Sequence, residues 1–133
     1  MLRSVPMIWV GLSAAPALAS AVLPIGGAFG NEAGCRLYMT GDRSAEELAV
    51  LTPHTFMTHD QGCTFRQVAR IETRHLAVEA SCARLGEKGE ARAIGIQGSG
   101  AEGYVVTSAD GRWGPLLPCP GTEHLFEPPG IPV

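Results

Sequence analysis

Between Cys63 and Arg84 the chain can fold back on itself in one register that meets three requirements together. With Glu72 and Thr73 as the loop, Cys63 lies opposite Cys82, Phe65 opposite Ala80, Gln67 opposite Val78 and Ala69 opposite Leu76. Side chains alternate along a strand, so these eight residues share one face. That face is mainly apolar and aligns two cysteines. The other face pairs Thr64 with Ser81, Arg66 with Glu79 and Arg70 with His75. A slip of one residue would turn the apolar set to the wrong side. Gln67 is the polar intruder on the apolar face, and Glu-Thr is not a favoured two-residue turn, so the loop is expected to be wider than two residues.

The other two cysteines, Cys35 and Cys119, bracket this hairpin, and the start of the chain indicates the compartment in which all four operate. Met1-Leu2-Arg3 is a short basic start, Val5 to Leu23 is apolar and uncharged, and Ala17-Leu18-Ala19 and Ala19-Ser20-Ala21 offer small residues for cleavage. This is the layout of a secretory signal. Pro6, Pro16 and Pro24 argue against a permanent membrane helix, and Cys35 lies too far downstream to serve a lipobox. The expected organisation is a signal over 1–19, cleaved after 19 or 21. A flexible, glycine-rich lead-in follows over 20–34, then a disulfide-stapled domain over 35–119 and a proline-rich disordered tail over 120–133. An exported chain meets an oxidising compartment, where four cysteines are read as two disulfides. The hairpin register favours Cys63–Cys82, which leaves Cys35–Cys119. Cys35–Cys63 with Cys82–Cys119 is the rival, because four cysteines allow three connectivities.

The rest of the chain reads as short strands. Cys35–Met39 is a candidate first strand. Ser44-Ala45-Glu46-Glu47 has the form of a capping box, so a short helix over 45–51 competes with a strand over 48–52, and Pro53 ends either one. Thr55–His59, Glu90–Gln97 and Tyr104–Ser108 follow as strands. Asp110-Gly111 is a hairpin turn from which Arg112–Leu117 returns. The fold class is therefore all-β, a small antiparallel meander or barrel-like sheet stapled by two disulfides, with at most one short helix.

Loss of the leader removes Arg3 and leaves nine basic and thirteen acidic residues, a net charge of −4. Nucleic acid and anionic membrane both call for a cationic footprint, so neither is an expected partner. No membrane span is expected after signal cleavage. His54, His59, Asp60, His75 and His124 are capable of holding metal but lack H-E-x-x-H or paired C-x-x-C spacing; they read as loop histidines. The serines sit in no G-x-S-x-G elbow. Glu87-Lys88-Gly89-Glu90 reads as a solvated hairpin tip, and Gly98-Ser99-Gly100 lacks the G-K-[ST] of a phosphate loop. No catalytic residue, metal or cofactor is expected. An enzyme would instead require two or more of His54, His59, Asp60, Glu87 and Glu90 to converge in a pocket. What remains is a candidate binding surface for a protein partner in the envelope. Arg66, Arg70, Arg74 and Arg84 lie on or beside the exposed hairpin face, Ser99 lies in a glycine turn, and Tyr104 and Trp113 flank the Asp110-Gly111 turn. Arginine and aromatic residues are enriched at interfaces.

The order Cys35, Leu51-Thr52-Pro53, Gly62-Cys63-Thr64-Phe65, Cys82, Gly86-Glu87 and Cys119 resembles a loose group of small, uncharacterised four-cysteine proteins exported by Gram-negative bacteria, mostly alphaproteobacteria. The resemblance spans about residues 35–119 and implies export and a β fold, but no activity. Ser99-Gly100-Ala101-Glu102-Gly103-Tyr104 is similar, with altered spacing, to the Ser-Gly-x-x-Tyr stretch of periplasmic C-type lysozyme inhibitors, which are small disulfide-bearing β-barrels that plug the lysozyme cleft with a loop. Their further motif, a Trp followed by Lys-Gly, is absent after Trp113. The similarity implies inhibitory contacts from Ser99 and Tyr104. The expected function is an exported, non-enzymatic binding module, and within that class an inhibitor of a cell-wall hydrolase. A small periplasmic enzyme and a purely structural envelope component are the alternatives.

Overall fold

The computed structural model describes residues 21–84 and 86–122. In chain order the elements are β1 (Phe29–Gly30), α1 (Glu32–Thr40), β2 (Ala49–Leu51), β3 (Thr55–Thr58), β4 (Gln61–Glu72), β5 (His75–Arg84), β6 (Glu90–Ser99), β7 (Gly103–Ser108) and β8 (Gly111–Pro118). Each strand pairs antiparallel with the next, and β8 pairs with β1, so the sheet closes into a barrel. The expected all-β architecture with one short helix is the architecture found.

The central hairpin keeps the expected register only as far as Phe65. Cys63 faces Cys82, Thr64 faces Ser81 and Phe65 faces Ala80. A β-bulge at Arg66 then shifts the pairing, and Gln67 lies opposite Glu79, Val68 opposite Val78 and Arg70 opposite Leu76. One extra residue reverses the alternation beyond it. The bulge therefore removes the blemish in the sequence pattern: Gln67 turns out to solvent, and Val68 enters the core against Val78. The same reversal separates Arg66 from Arg70, which an unbroken strand would have kept on one face.

Both disulfides have the nested connectivity. Cys63–Cys82 joins facing residues inside the barrel, and Cys35–Cys119 joins α1 to the residue after β8 across a sequence separation of 84. Chain-entropy reasoning assigns about 4–5 kcal/mol to a loop as long as the second and about 3 kcal/mol to one of the first's length.

Residues 35–39 form part of α1 rather than a strand. The Asn31 side chain accepts from Gly34 N–H at 2.7 Å and caps the helix start. Gly41, in the left-handed conformation, ends it, with its N–H donating to the Leu37 carbonyl. The helix lies on the outside of the barrel, where Ala33 and Leu37 pack against Leu48 and Val50. Gly34 permits the close approach, since a Cβ there would meet the Ala49 carbonyl oxygen at 1.9 Å. This cover also explains residues 48–51. Ala49 and Leu51 face the barrel interior while Leu48 and Val50 face the helix, so the run is buried on both sides and forms a strand, not a helix begun at Ser44.

The glycine-rich stretch expected as a flexible lead-in is packed from Leu23 onward. Leu23 is 1% exposed, its N–H donates to the Pro53 carbonyl at 2.8 Å, and with Ile25 it joins the barrel core. The reason is geometric: a barrel this small needs apolar plugs at its mouth, and these two side chains provide one. At the other end of the domain the packed chain reaches Thr122, three residues beyond Cys119. The Thr122 hydroxyl donates to the Cys119 carbonyl at 2.8 Å and accepts from Ala28 N–H at 3.0 Å. The signal segment 1–19 and tail residues 123–133 lie outside the described residues.

Leu23→Ala is expected to lower unfolding stability by about 2–4 kcal/mol, the usual range for truncating a buried leucine. A flexible lead-in would instead give a change near zero. Urea denaturation of the exported protein distinguishes the two.

Candidate functional site

Consecutive antiparallel strands place alternate connections at opposite ends of a barrel. The β4–β5 and β6–β7 turns and the Thr52–His54 loop share one end with the Leu23–Ile25 plug, and a pit of about 80 Å³ opens there. Arg70 and Arg74 stand on its β4–β5 side, Tyr104 and Gly98 on its β6–β7 side, and Ile25 and Ile96 contribute apolar wall.

The two turns are joined to each other. Gly98 N–H donates to the Arg74 carbonyl at 3.0 Å, and the Arg74 guanidinium pairs with Glu102 at 3.3 Å. Within the β6–β7 turn, Glu102 N–H donates to the Ser99 hydroxyl at 3.2 Å. The Arg74–Glu102 pair is exposed, so it orients the turn more than it stabilises the fold. Gly98 has φ +127°, and a Cβ there would lie 2.1 Å from the Gly103 carbonyl oxygen. The strands carrying Ser99 and Tyr104 can approach this closely only because Gly98 carries no side chain. Gly100, Ala101 and Glu102 project from the end of the turn, exposed.

Tyr104 is half-buried, its ring edge-on to Phe29 with centroids 4.8 Å apart. Burial raises its phenol above the ordinary tyrosine value, because desolvation disfavours the charged form. The hydroxyl has no hydrogen-bond partner among the described residues.

Of the residues singled out from sequence, the structure brings Arg70, Ser99 and Tyr104 to this one end. Arg66 is exposed at the bulge, on the outer face and away from the pit. Trp113 packs into the core with its ring 5.3 Å from Phe56, beside Arg92 and Asp110 near the opposite end. It is a core residue more than an exposed anchor. Arg74, one of the arginines that the sequence placed on or beside the hairpin face, holds the turn with both its side chain and its carbonyl. It lies in a two-residue loop, Thr73–Arg74, one position beyond the Glu72–Thr73 loop expected and no wider, because a second register shift pairs Glu72 with His75.

Of the residues an enzyme would have needed, His54 lies at the end that carries the pit, whereas His59 and Asp60 on the β3–β4 connection and Glu87 and Glu90 around the β5–β6 connection lie toward the other end. His54 and His59 lie beyond opposite ends of β3, His59 Nδ1 pairs with the Arg43 carbonyl at 3.0 Å, and Glu90 pairs with Arg92 at 3.7 Å. His75 lies near Gln97 on the outer face of β5 and β6, and His124 lies outside the described residues. Among the described residues no three of His, Cys, Asp and Glu cluster as metal ligands, and no helix is long and apolar enough to cross a membrane.

Fold and site together define a small closed antiparallel barrel with two disulfides and a braced turn at one mouth. No family model, curated protein or solved structure matches the chain.

Two predictions follow from this geometry. Gly98→Ala is expected to cost at least about 2 kcal/mol, the scale of a residue forced into a conformation reserved for glycine; thermal unfolding measures it, and Gly100→Ala, with open space at its Cβ, should change little. The raised Tyr104 phenol stabilises the fold fully below the unfolded tyrosine value, about pH 10. That contribution is lost as pH rises through the higher folded value. Denaturation at alkaline pH should therefore show stability falling above that point, with a shallower fall in Tyr104→Phe. Tyr38, raised by the same cause, accounts for the remainder.

Proposed function

We propose that this protein is an exported, non-enzymatic binding module of the bacterial envelope whose β6–β7 turn docks on a cell-wall hydrolase of the lysozyme type. The observation that carries this reading is the turn Ser99–Tyr104. It presents the Ser-Gly and Tyr elements of the inhibitor stretch at one mouth of a closed barrel, braced by Arg74 before any partner arrives. A loop fixed in advance loses little conformational entropy on binding. The acidic balance of the chain and exposed Glu102 suit a cationic partner, because complementary charge raises encounter rate and selects against wrong partners. Export rests on the leader pattern, with which the two disulfides agree.

Exported protein added to a C-type lysozyme in a cell-wall turbidity assay should slow clearing as it reaches equimolar amounts. Ala101→Arg places a cation on the exposed turn at no packing cost and should weaken inhibition by about tenfold or more, as like-charge contacts do, with unfolding unchanged. Clearing that proceeds at the uninhibited rate with the wild-type protein in excess would overturn the proposal.

A further inference from the structure

A second hollow lies at the other end of the barrel, away from the β6–β7 turn. It holds about 380 Å³ on the outer face of β3, β4 and β5, within the range of small-ligand sites, about 300–1,000 Å³. Its lining has a consistent chemistry. Met57, Gly62 and Ala83 lie along β3, β4 and β5, the Thr55 and Thr64 hydroxyls lie beside them, and Arg43, Arg84 and Glu87 complete the wall. The depth comes from Gly62: a Cβ built there meets nothing within 4 Å, although strand alternation aims it outward between Met57 and Ala83.

Among the described residues neither arginine forms an ion pair, in common with Arg66, Arg70 and Arg112 and unlike Arg36, Arg74 and Arg92. Arg43 is also fixed in place. Its carbonyl pairs with His59 Nδ1 at 3.0 Å, and its guanidinium donates to the Thr58 carbonyl at 3.4 Å. Two guanidinium groups and the Glu87 carboxylate leave one net positive charge around the hollow. That balance suits a single carboxylate, and the Glu87 carboxylate opposes the second charge of a dianion such as phosphate.

We propose that this hollow binds the terminal carboxylate of a short peptide. Arg43 and Arg84 hold the carboxylate through charge-assisted hydrogen bonds, Met57 and Ala83 receive a small apolar side chain, and Glu87 accepts from a peptide N–H. The site is separate from the hydrolase-docking turn and does not depend on that reading.

The test is a ¹H–¹⁵N NMR titration of the exported protein with acetyl-Ala-Ala carrying a free carboxylate, with its C-terminal amide, and with inorganic phosphate. The free acid should produce saturable shifts at the amides of Gly62, Thr64, Ala83 and Gly86. The amide and phosphate should bind at least about tenfold more weakly, the scale set by losing a charge-assisted pair or adding a repelled charge. Arg84→Gln, which alters an exposed side chain, should weaken the acid to a similar degree, and Gly62→Leu, which fills the hollow, should abolish the shifts. Absence of saturable shifts overturns the proposal, as does equal binding of acid and amide. Phosphate binding as tight as that of the acid would reveal an unselective cationic patch and overturn it too, as would shifts that survive Gly62→Leu.

Discussion

A sheet has no free edge only if its first and last strands meet, and here they meet through two residues. Phe29 pairs with Leu51 on one side and Pro118 on the other, and Gly30 pairs with Val50 and Leu117. Every other seam in the barrel is longer. A two-residue strand contributes few ladder hydrogen bonds, and an unpaired edge invites pairing with other chains. The stabilising features of the fold are concentrated at this weak point. The Cys35–Cys119 disulfide crosses it, Cys119 N–H donates to the Ala28 carbonyl, and Thr122 bonds both residues. Asn31, directly after β1, caps α1 and accepts from Ala49 N–H at the start of β2. The helix then covers the outer side of the same seam.

The rest of the barrel follows from closure. Once β1 is fixed, the residues before it have to cross the barrel mouth, which is why Leu23 and Ile25 are core residues despite their glycine-rich surroundings. The interior is narrow enough for the Cys63–Cys82 bridge, Phe56, Phe65 and Ile96 to fill it, so it is a packed core rather than a lumen. Ligands are left only the mouths and the outer face. The two candidate sites occupy these positions, the pit and braced turn at one end and the outer hollow toward the other.

Patterns of period two were legible in the sequence, and single-residue departures from them were not. The hairpin was readable because Cys63, Phe65, Ala80 and Cys82 agree on one face, and both disulfides followed from that agreement. The bulge at Arg66 left only an indirect trace, a polar Gln67 on an apolar face followed by Val68. Read as a bulge signal, that trace would have turned Arg70 away from Arg66. The helix was missed because Leu37, Tyr38 and Met39 suit a strand by residue type, while the signals that decide it, Asn31 before and Gly41 after, sit outside the apolar run. Leu23 and Ile25 were hidden because the end of a signal segment and the start of a barrel plug share one composition.

The candidate site shows the same division. Ser99 and Tyr104 were found from a local motif, and the fold keeps them within one turn. Arg74 acts on that turn across a sequence separation of 28, a pairing visible only once β5 and β6 place the two turns side by side. This arrangement bears on how the mouth can bind. A turn held only by its own residues would exchange conformations freely, since Gly98, Gly100 and Gly103 restrict it little. Anchoring it to the neighbouring hairpin through one backbone hydrogen bond and one ion pair offsets the freedom that those glycines bring. The glycines allow the strands to come close, and Arg74 limits the conformations that this closeness would otherwise permit.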